Sequence, residues 1–448
     1  MCLAIVQRCL LLACAIGALR AVTAAEPAVK GAGTFTRDAL LARFDGNRNA
    51  RLEDEEKRAL RAAFGGIDVP MLPARPYSYT KLKLPDSIDA ARLAKFDNTP
   101  ADNALSDYGA TLGRVLFYDT RLSANDTVAC ASCHRQKAAF TDGLALSVGY
   151  KGHRTGRNAM SLVNLRFSNV GGGRPGFFWD ERAATLEEQV LMPIQDEIEM
   201  GMELKALEKK LQALPYYPPL FEAAFGSPQV TSDRVAKAVA QFLRSLVSFD
   251  SKFDRACGKV STSSHAEGHE EGRLGGHDLH DFPDFTPQEN LGKAIFMGGI
   301  RGTEEFACAM CHAPPTFSMA AAANNGLDQS YKDQGLGRLR RKSNDPFTPD
   351  NDGKFKAPPL RNVELTAPYM HDGRFKTLEE VIDHYSDGVH LHPNLGLALP
   401  EENRKGDLTG LRLTKEEKAA LVAFLKTLTD RRFLVEEKYS DPFVRIEH

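Results

Sequence analysis

Two short units in this 448-residue sequence have a composition suited to chemistry: Cys130-Ala131-Ser132-Cys133-His134 and Cys308-Ala309-Met310-Cys311-His312. Two thiols at this spacing can form thioethers with the two vinyl groups of a porphyrin, and the adjoining imidazole is then held beneath the iron. A chance match or half of a zinc site is the alternative for one such unit; two copies in a repeated frame argue against it. Each unit therefore predicts one covalently bound haem c, with His134 and His312 as proximal ligands. Of the eight cysteines, Cys2, Cys9 and Cys14 fall in an N-terminal leader and Cys257 stands alone, so the count fits haem attachment better than a disulfide framework.

The elements that position these units occur twice, in the same order. Leu112-Gly113-Arg114-Val115-Leu116-Phe117 is answered by Leu291-Gly292-Lys293-Ala294-Ile295-Phe296. After each haem unit, Trp179-Asp180-Glu181-Arg182 leads to Thr185-Leu186-Glu187-Glu188, and His371-Asp372-Gly373-Arg374 leads to Thr377-Leu378-Glu379-Glu380. Phe242-Leu243-Arg244-Ser245-Leu246 pairs with Phe424-Leu425-Lys426-Thr427-Leu428. Both T-x-x-E units read as capping boxes, and Thr414 to Glu417 supplies another before a helix whose Leu421, Leu425 and Leu428 share a face. Alternating strand patterns are almost absent. The expected fold is mainly α, with two tandem cytochrome c-like haem domains related by internal duplication.

The internal alignment also addresses the far side of each iron. Setting Thr185 against Thr377 places Pro193 opposite Tyr385. Proline cannot ligate iron and tyrosine can, so haem 2 is expected to be capped and haem 1 open. His384 and Met370 are alternative ligands, although neighbours on a helix point about 100° apart and only one of His384 and Tyr385 can face the iron. An open iron that splits peroxide needs a distal acid/base. Gln189, one turn before Pro193, and Glu199, six residues after it, are the candidates. Glu199 equally reads as a surface carboxylate of the acidic run Asp196-Glu197-Ile198-Glu199.

Over residues 86–435 the chain resembles the bacterial di-haem cytochrome c peroxidase superfamily, which includes MauG-type enzymes. The likeness is carried by Leu116–Ser123 (LFYDTRLS), Phe178-Trp179-Asp180, Glu188-Gln189, Glu199-Met200-Gly201 and Leu360–Gly373 (LRNVELTAPYMHDG). It implies a peroxide-reactive N-terminal haem domain over 86–256 and an electron-transfer C-terminal haem domain over 286–435. It makes Glu199 the distal acid/base, Gln189 its companion, and Trp179 the residue carrying electrons between the haems. Asn158, with the carbonyls of Thr366 and Pro368, matches an inter-haem Ca2+ site of hard oxygen donors. Two departures stand out. Where better-known peroxidases have a displaceable His over haem 1, this chain has Tyr150, with His153 nearby; where they have Met over haem 2, it has Tyr385, as MauG-type enzymes do. A tyrosinate lowers the haem potential, so an enzyme ready without prior reduction is expected.

Residues 1–25, with Arg8, an apolar run from Cys9 to Leu19 and small residues at Val22–Ala25, read as a signal peptide; the alternative is a buried N-terminal helix. Leu11–Cys14 loosely resembles a lipobox, so the expected location is periplasmic or secreted, with lipoprotein anchoring allowed for. Residues 35–66 form a helix–loop–helix whose loop fits an EF-hand: Asp45, Asn47, Asn49 and Glu56 fall at its first, third, fifth and twelfth positions. Ala50 stands where the tight turn prefers Gly, which leaves a degenerate structural hairpin as the alternative to calcium binding. Residues 67–85 read as a linker, as do residues 257–285, whose His265, His269, His277 and His280 would otherwise suggest a metal-binding loop.

A formal net charge of −2 gives no general basic surface, so no nucleic-acid partner is expected. The function classes are then three. One is a peroxidase that consumes hydrogen peroxide with electrons from a small redox protein, a cytochrome c or a cupredoxin. Another is a MauG-like oxidase of a protein or organic substrate. The last is an electron carrier with both irons capped, against which Pro193, Gln189 and Glu199 argue. A homodimer is compatible with any of these.

Overall fold

The computed structural model describes residues 32–45, 48, 51–168, 176–264, 280–298, 308–318, 322–339, 351–392, 394–396 and 410–445. Among them the chain is mainly helical, with one two-stranded antiparallel ladder that pairs Ala322–Ala323 with Phe355–Lys356.

The duplication is visible in packing as well as in sequence. In the first repeat the Asp107–Tyr118 helix lies against the Ser232–Ser245 helix; in the second, Pro287–Met297 lies against Lys415–Lys426. The approach is close because a glycine sits at the crossing. A Cβ on Gly113 would collide with the carbonyl of Ala238, and one on Gly292 with the carbonyl of Ala420, its counterpart in the repeat. Three equivalent phenylalanines then fill each core. Phe117 packs at 5.9 Å from Phe140 and 5.2 Å from Phe242, while Phe296 packs at 5.8 Å from Phe317 and 5.1 Å from Phe424. Such offset ring contacts add to the burial of large apolar area.

The halves meet at a polar seam. Ser248 and Asp430 follow the closing helices at equivalent positions, and the Ser248 hydroxyl donates to the Asp430 carboxylate at 3.0 Å. Asn164 and Asn362, both left-handed at φ 59° and 64°, donate their backbone N–H to Leu246 and Leu428. Asparagine is among the residues that tolerate this backbone conformation.

The helix starts differ in one detail from the expected capping boxes. The Thr185 and Thr377 hydroxyls accept from Glu188 N–H and Glu380 N–H, but each glutamate reaches one residue further back, to the N–H of Ala184 and of Lys376. The box at Thr414 and Glu417 has the regular reciprocal form.

At the N-terminus, the Arg37–Phe44 and Asp54–Ala63 helices bury Leu40 and Leu60 in the first core, and Leu52 joins them from just before the second helix. Asn47 and Asn49 lie outside the described residues; Glu56 gives one carboxylate oxygen to the N–H of Glu53 at 2.9 Å. Residues 67–85 run extended across the first core, burying Val69, Leu72 and Tyr79, and the Tyr79 hydroxyl donates to Lys438 O at 2.8 Å. Within 257–285, helix Lys252–Ser264 covers the first part and Phe282 and Phe285 pack into the second core. His280 is exposed, while His265, His269 and His277 lie outside the described residues.

Candidate functional site

Each C-x-x-C-H unit forms a short helical turn, Cys130–Cys133 in one repeat and Cys308–Met310 in the other, tightened by a backbone bond from the histidine N–H to the first cysteine carbonyl. All four thiols are free, and burial pushes them upward, to about 12 for Cys130 and Cys308 and about 11 for Cys133 and Cys311. The His134 ring meets the carbonyl of Phe140 through Nδ1 at 2.8 Å, and the His312 ring meets that of Phe317 at 3.2 Å. With the proton on Nδ1, each imidazole turns the Nε2 lone pair outward, as an iron ligand must. Burial lowers both imidazoles, His312 to about 4, so the neutral form prevails at neutral pH. Free thiol pairs and oriented neutral histidines fit two c-type haems.

The far sides differ. In the second repeat a largely apolar cavity is lined by His312, Cys308, Cys311, Met370 and Tyr385. Tyr385 projects from the Leu378–Asp387 helix, its phenol raised to about 12 by burial and eased down by the Asn325 amide, whose Nδ2 lies 3.3 Å from the hydroxyl. The same amide is 3.6 Å from the Met370 sulfur. His384 faces elsewhere, its Nε2 at 3.1 Å from Asn325 O and its ring tilted against Phe375. The cavity thus contains Tyr385 and Met370 and leaves His384 outside.

In the first repeat the equivalent helix, Leu186–Gln195, carries Pro193 in place of tyrosine, with Gln189 half-buried one turn earlier. Glu199 follows in a turn pinned by Ala124 N–H to Met200 O at 2.9 Å and Tyr150 N–H to Glu199 O at 3.0 Å. Its carboxyl is raised to about 7, mainly by burial and secondarily by Asp196, with Arg182 pulling the other way. Its charge is felt at both Cys130 and Cys133, and its side chain is half-buried. Tyr150 packs its ring against Gly201, a glycine at φ 60° that has no room for a Cβ there. His153 is exposed and contributes its carbonyl to Gly149 N–H.

Between the repeats, Trp179 donates its indole N–H to Asn158 O at 2.9 Å and accepts at its own carbonyl from Lys356 N–H at 2.8 Å. Asn158, Thr366 and Pro368 line one cavity with Trp179. The Asn158 amide donates to Leu144 O at 2.8 Å, leaving its side-chain oxygen for other use. Neighbouring Asp180 is buried and bridges two arginines, Arg157 at 2.7 Å and Arg182 at 2.9 Å.

Four residues here were not anticipated from sequence. Arg182 stood inside a repeated landmark without a role, and its counterpart Arg374 binds Asp372 and Asp328 instead. Glu181 was legible as the partner of Gly373. Asn325 and Lys356 carry no sequence signal.

A model of the family described as di-haem cytochrome c peroxidase matches residues 107–261. The methylamine utilization protein MauG of Methylorubrum extorquens is 33% identical over 73% of this chain and 80% of its own. The cytochrome c551 peroxidase of Nitrosomonas europaea is 31% identical, over 71% of this chain and 79% of its own. A crystal structure of a MauG-like protein associated with microbial copper homeostasis shares 32% identity at a TM-score of 0.60, over 81% of this chain and 99% of that one.

Proposed function

Because the chain belongs to the di-haem cytochrome c peroxidase and MauG family of oxidoreductases, with two haem c groups, we propose that hydrogen peroxide reacts at the N-terminal haem and electrons pass at the C-terminal one. The observation that carries this reading is the inequality of two equivalent helix positions: Pro193 on one, and on the other Tyr385, inside the cavity of His312. The haems supply the redox chemistry. Glu199 acts as distal acid/base: its carboxylate takes a proton from peroxide and returns it to the departing oxygen, which leaves as water. A carboxyl raised to about 7 is suited to both halves of that transfer near neutral pH. Gln189 is its distal companion, Trp179 the electron path, and Tyr385 the second ligand of the C-terminal haem.

Asn158, Thr366 and Pro368 are proposed as oxygen donors to an inter-haem calcium ion, and Asp45, Asn47, Asn49 and Glu56 to a second one in the N-terminal loop. The chain is proposed to work in the periplasm or outside the cell; among the described residues no helix is long and apolar enough to cross a membrane. The MauG-like form is favoured over a peroxidase that must first be reduced, because Tyr150, not histidine, is locked against the Glu199 turn. Absorption and EPR spectra of the oxidised protein, before and after one equivalent of peroxide, test this. One high-spin and one low-spin haem with immediate reaction is expected; two low-spin haems that stay inert until one is reduced would overturn it.

A further inference from the structure

One lysine lines the cavity of the C-terminal haem. Among its lining residues there is no aspartate, glutamate or arginine, and Lys356 is the single lysine. Lys356 is 4% exposed, and its Nζ is buried with no hydrogen-bond partner among the described residues. An ammonium so placed is costly unless an anion meets it. Its position is fixed from three sides. Its backbone N–H is tied to the Trp179 carbonyl, its strand is paired with Ala322–Ala323, and the adjacent Phe355 ring stacks on His371 at 3.8 Å and 10°.

The charge coupled to it comes from an unusual place. Glu181 sits at φ 52°, where the second repeat has Gly373 at φ 65°. A left-handed backbone is cheap for glycine and strained for glutamate. Its carboxylate opposes the effect of burial on Lys356, which lowers the lysine's proton affinity. Lys356 thus lines the cavity of the second repeat while its charge is coupled to Glu181 of the first.

We propose that Lys356 is the counter-ion of a propionate of the C-terminal haem, with Glu181 balancing its charge, so that the pair sets that haem's potential beside Trp179. The inference rests on the attachment of that haem at Cys308, Cys311 and His312. A cation next to the haem edge favours the reduced state, and removing it favours the oxidised one.

The test uses the full-length, haem-loaded protein with Lys356→Gln, Lys356→Arg and Glu181→Gln. Haem content per chain and the intact N-terminal haem spectrum report first whether both groups are attached, which separates failure of the attachment reading from failure of this one. Lys356→Gln should shift the C-terminal haem's one-electron equilibrium at least tenfold toward the oxidised form, about 59 mV, and move its propionate bending band in resonance Raman. Lys356→Arg should restore both, and Glu181→Gln should shift the potential the opposite way. An unchanged potential, or a fallen potential with an unmoved propionate band, overturns the proposal. If Lys356→Gln attaches a single haem, Lys356→Arg must attach two with the native band; failure of both variants also counts against it.

Discussion

Trp179 and His371 occupy the same position in the two repeats and are joined through a single residue: the indole N–H donates to the Asn158 carbonyl at 2.9 Å, and the Asn158 N–H donates to the His371 carbonyl at 2.7 Å. The proposed inter-haem path is thus built on the internal duplication of the chain and broken in side-chain identity, with an indole on one side only. Trp179→Phe should attach both haems and leave the first reaction with peroxide intact, while slowing electron exchange between the haems by roughly tenfold or more, a barrier increase of about 1.4 kcal/mol. The lost hydrogen bond should cost about 1 kcal/mol in stability. Stopped-flow spectra of each haem after peroxide addition separate the two steps; equal rates in both proteins would remove Trp179 from the path.

Glu199→Gln keeps the shape of the distal turn and removes its base. Peroxide reactivity should fall by roughly 10²–10⁴-fold. In the parent protein the rate should rise as pH passes through about 7, because Glu199 holds its proton below that value and is a base above it. The variant should show no such rise. Stability should move oppositely. A carboxyl whose affinity for protons is raised by folding stabilises the folded state less and less as pH climbs from about 4.5 to about 7. The glutamine protein should therefore be the more stable one at pH ~8, by on the order of 3 kcal/mol, and equal at acid pH. Thermal unfolding at both ends of that range is the check.

Arg182 should act through Glu199 alone. Its guanidinium, held by Asp180 and stacked over Phe178 at 3.6 Å, lowers the carboxyl that burial raises. Arg182→Gln should displace the pH–rate profile to higher pH with an unchanged plateau. A plateau lowered as far as in Glu199→Gln would mean that Arg182 touches the reacting atoms itself.

Replacing Tyr385 with methionine should raise the potential of the C-terminal haem, on the order of 0.1 V or more, since a neutral thioether favours the ferrous state more than an anionic phenolate does. The absorption spectrum of that haem should change with it. His384→Ala, whose ring is engaged with Asn325 O and Phe375, should leave both unchanged. An unaltered spectrum in Tyr385→Met would return the ligand role to Met370, which lines the same cavity.

What could be read from sequence was what repeats. The attachment turns, the paired helices with Gly113 and Gly292, and the contrast of Pro193 with Tyr385 all follow from aligning the chain with itself. Glu199 was undecided because an acidic run looks the same exposed or buried; the Tyr150 and Ala124 bonds that hold its turn are long-range. Lys356 and Asn325 were invisible for a related reason. Each matters through one buried atom facing a cavity, and neither periodicity nor spacing encodes which atom that will be. The extended segment at 67–85 lacked periodicity because it crosses the core as a strap, burying Val69, Leu72 and Tyr79 singly.

The second repeat also depends on one charge pair that the first lacks. Arg361 and Asp254 are 1% and 2% exposed and meet through two bonds of 2.7 and 2.8 Å, and Arg361 spends its remaining Nε–H on Pro315 O, close to the His312 turn. Breaking such a pair strands the surviving charge in a dry site. Asp254→Ala should cost about 3–5 kcal/mol, and with Arg361 free to pull away from Pro315 the loss should fall on the C-terminal haem site before the N-terminal one. Replacing both partners with apolar residues of similar volume should recover much of the stability. Denaturant unfolding followed at each haem's absorption separates these outcomes. Equal loss at both haems would show that the two repeats unfold as one unit through the Ser248–Asp430 seam.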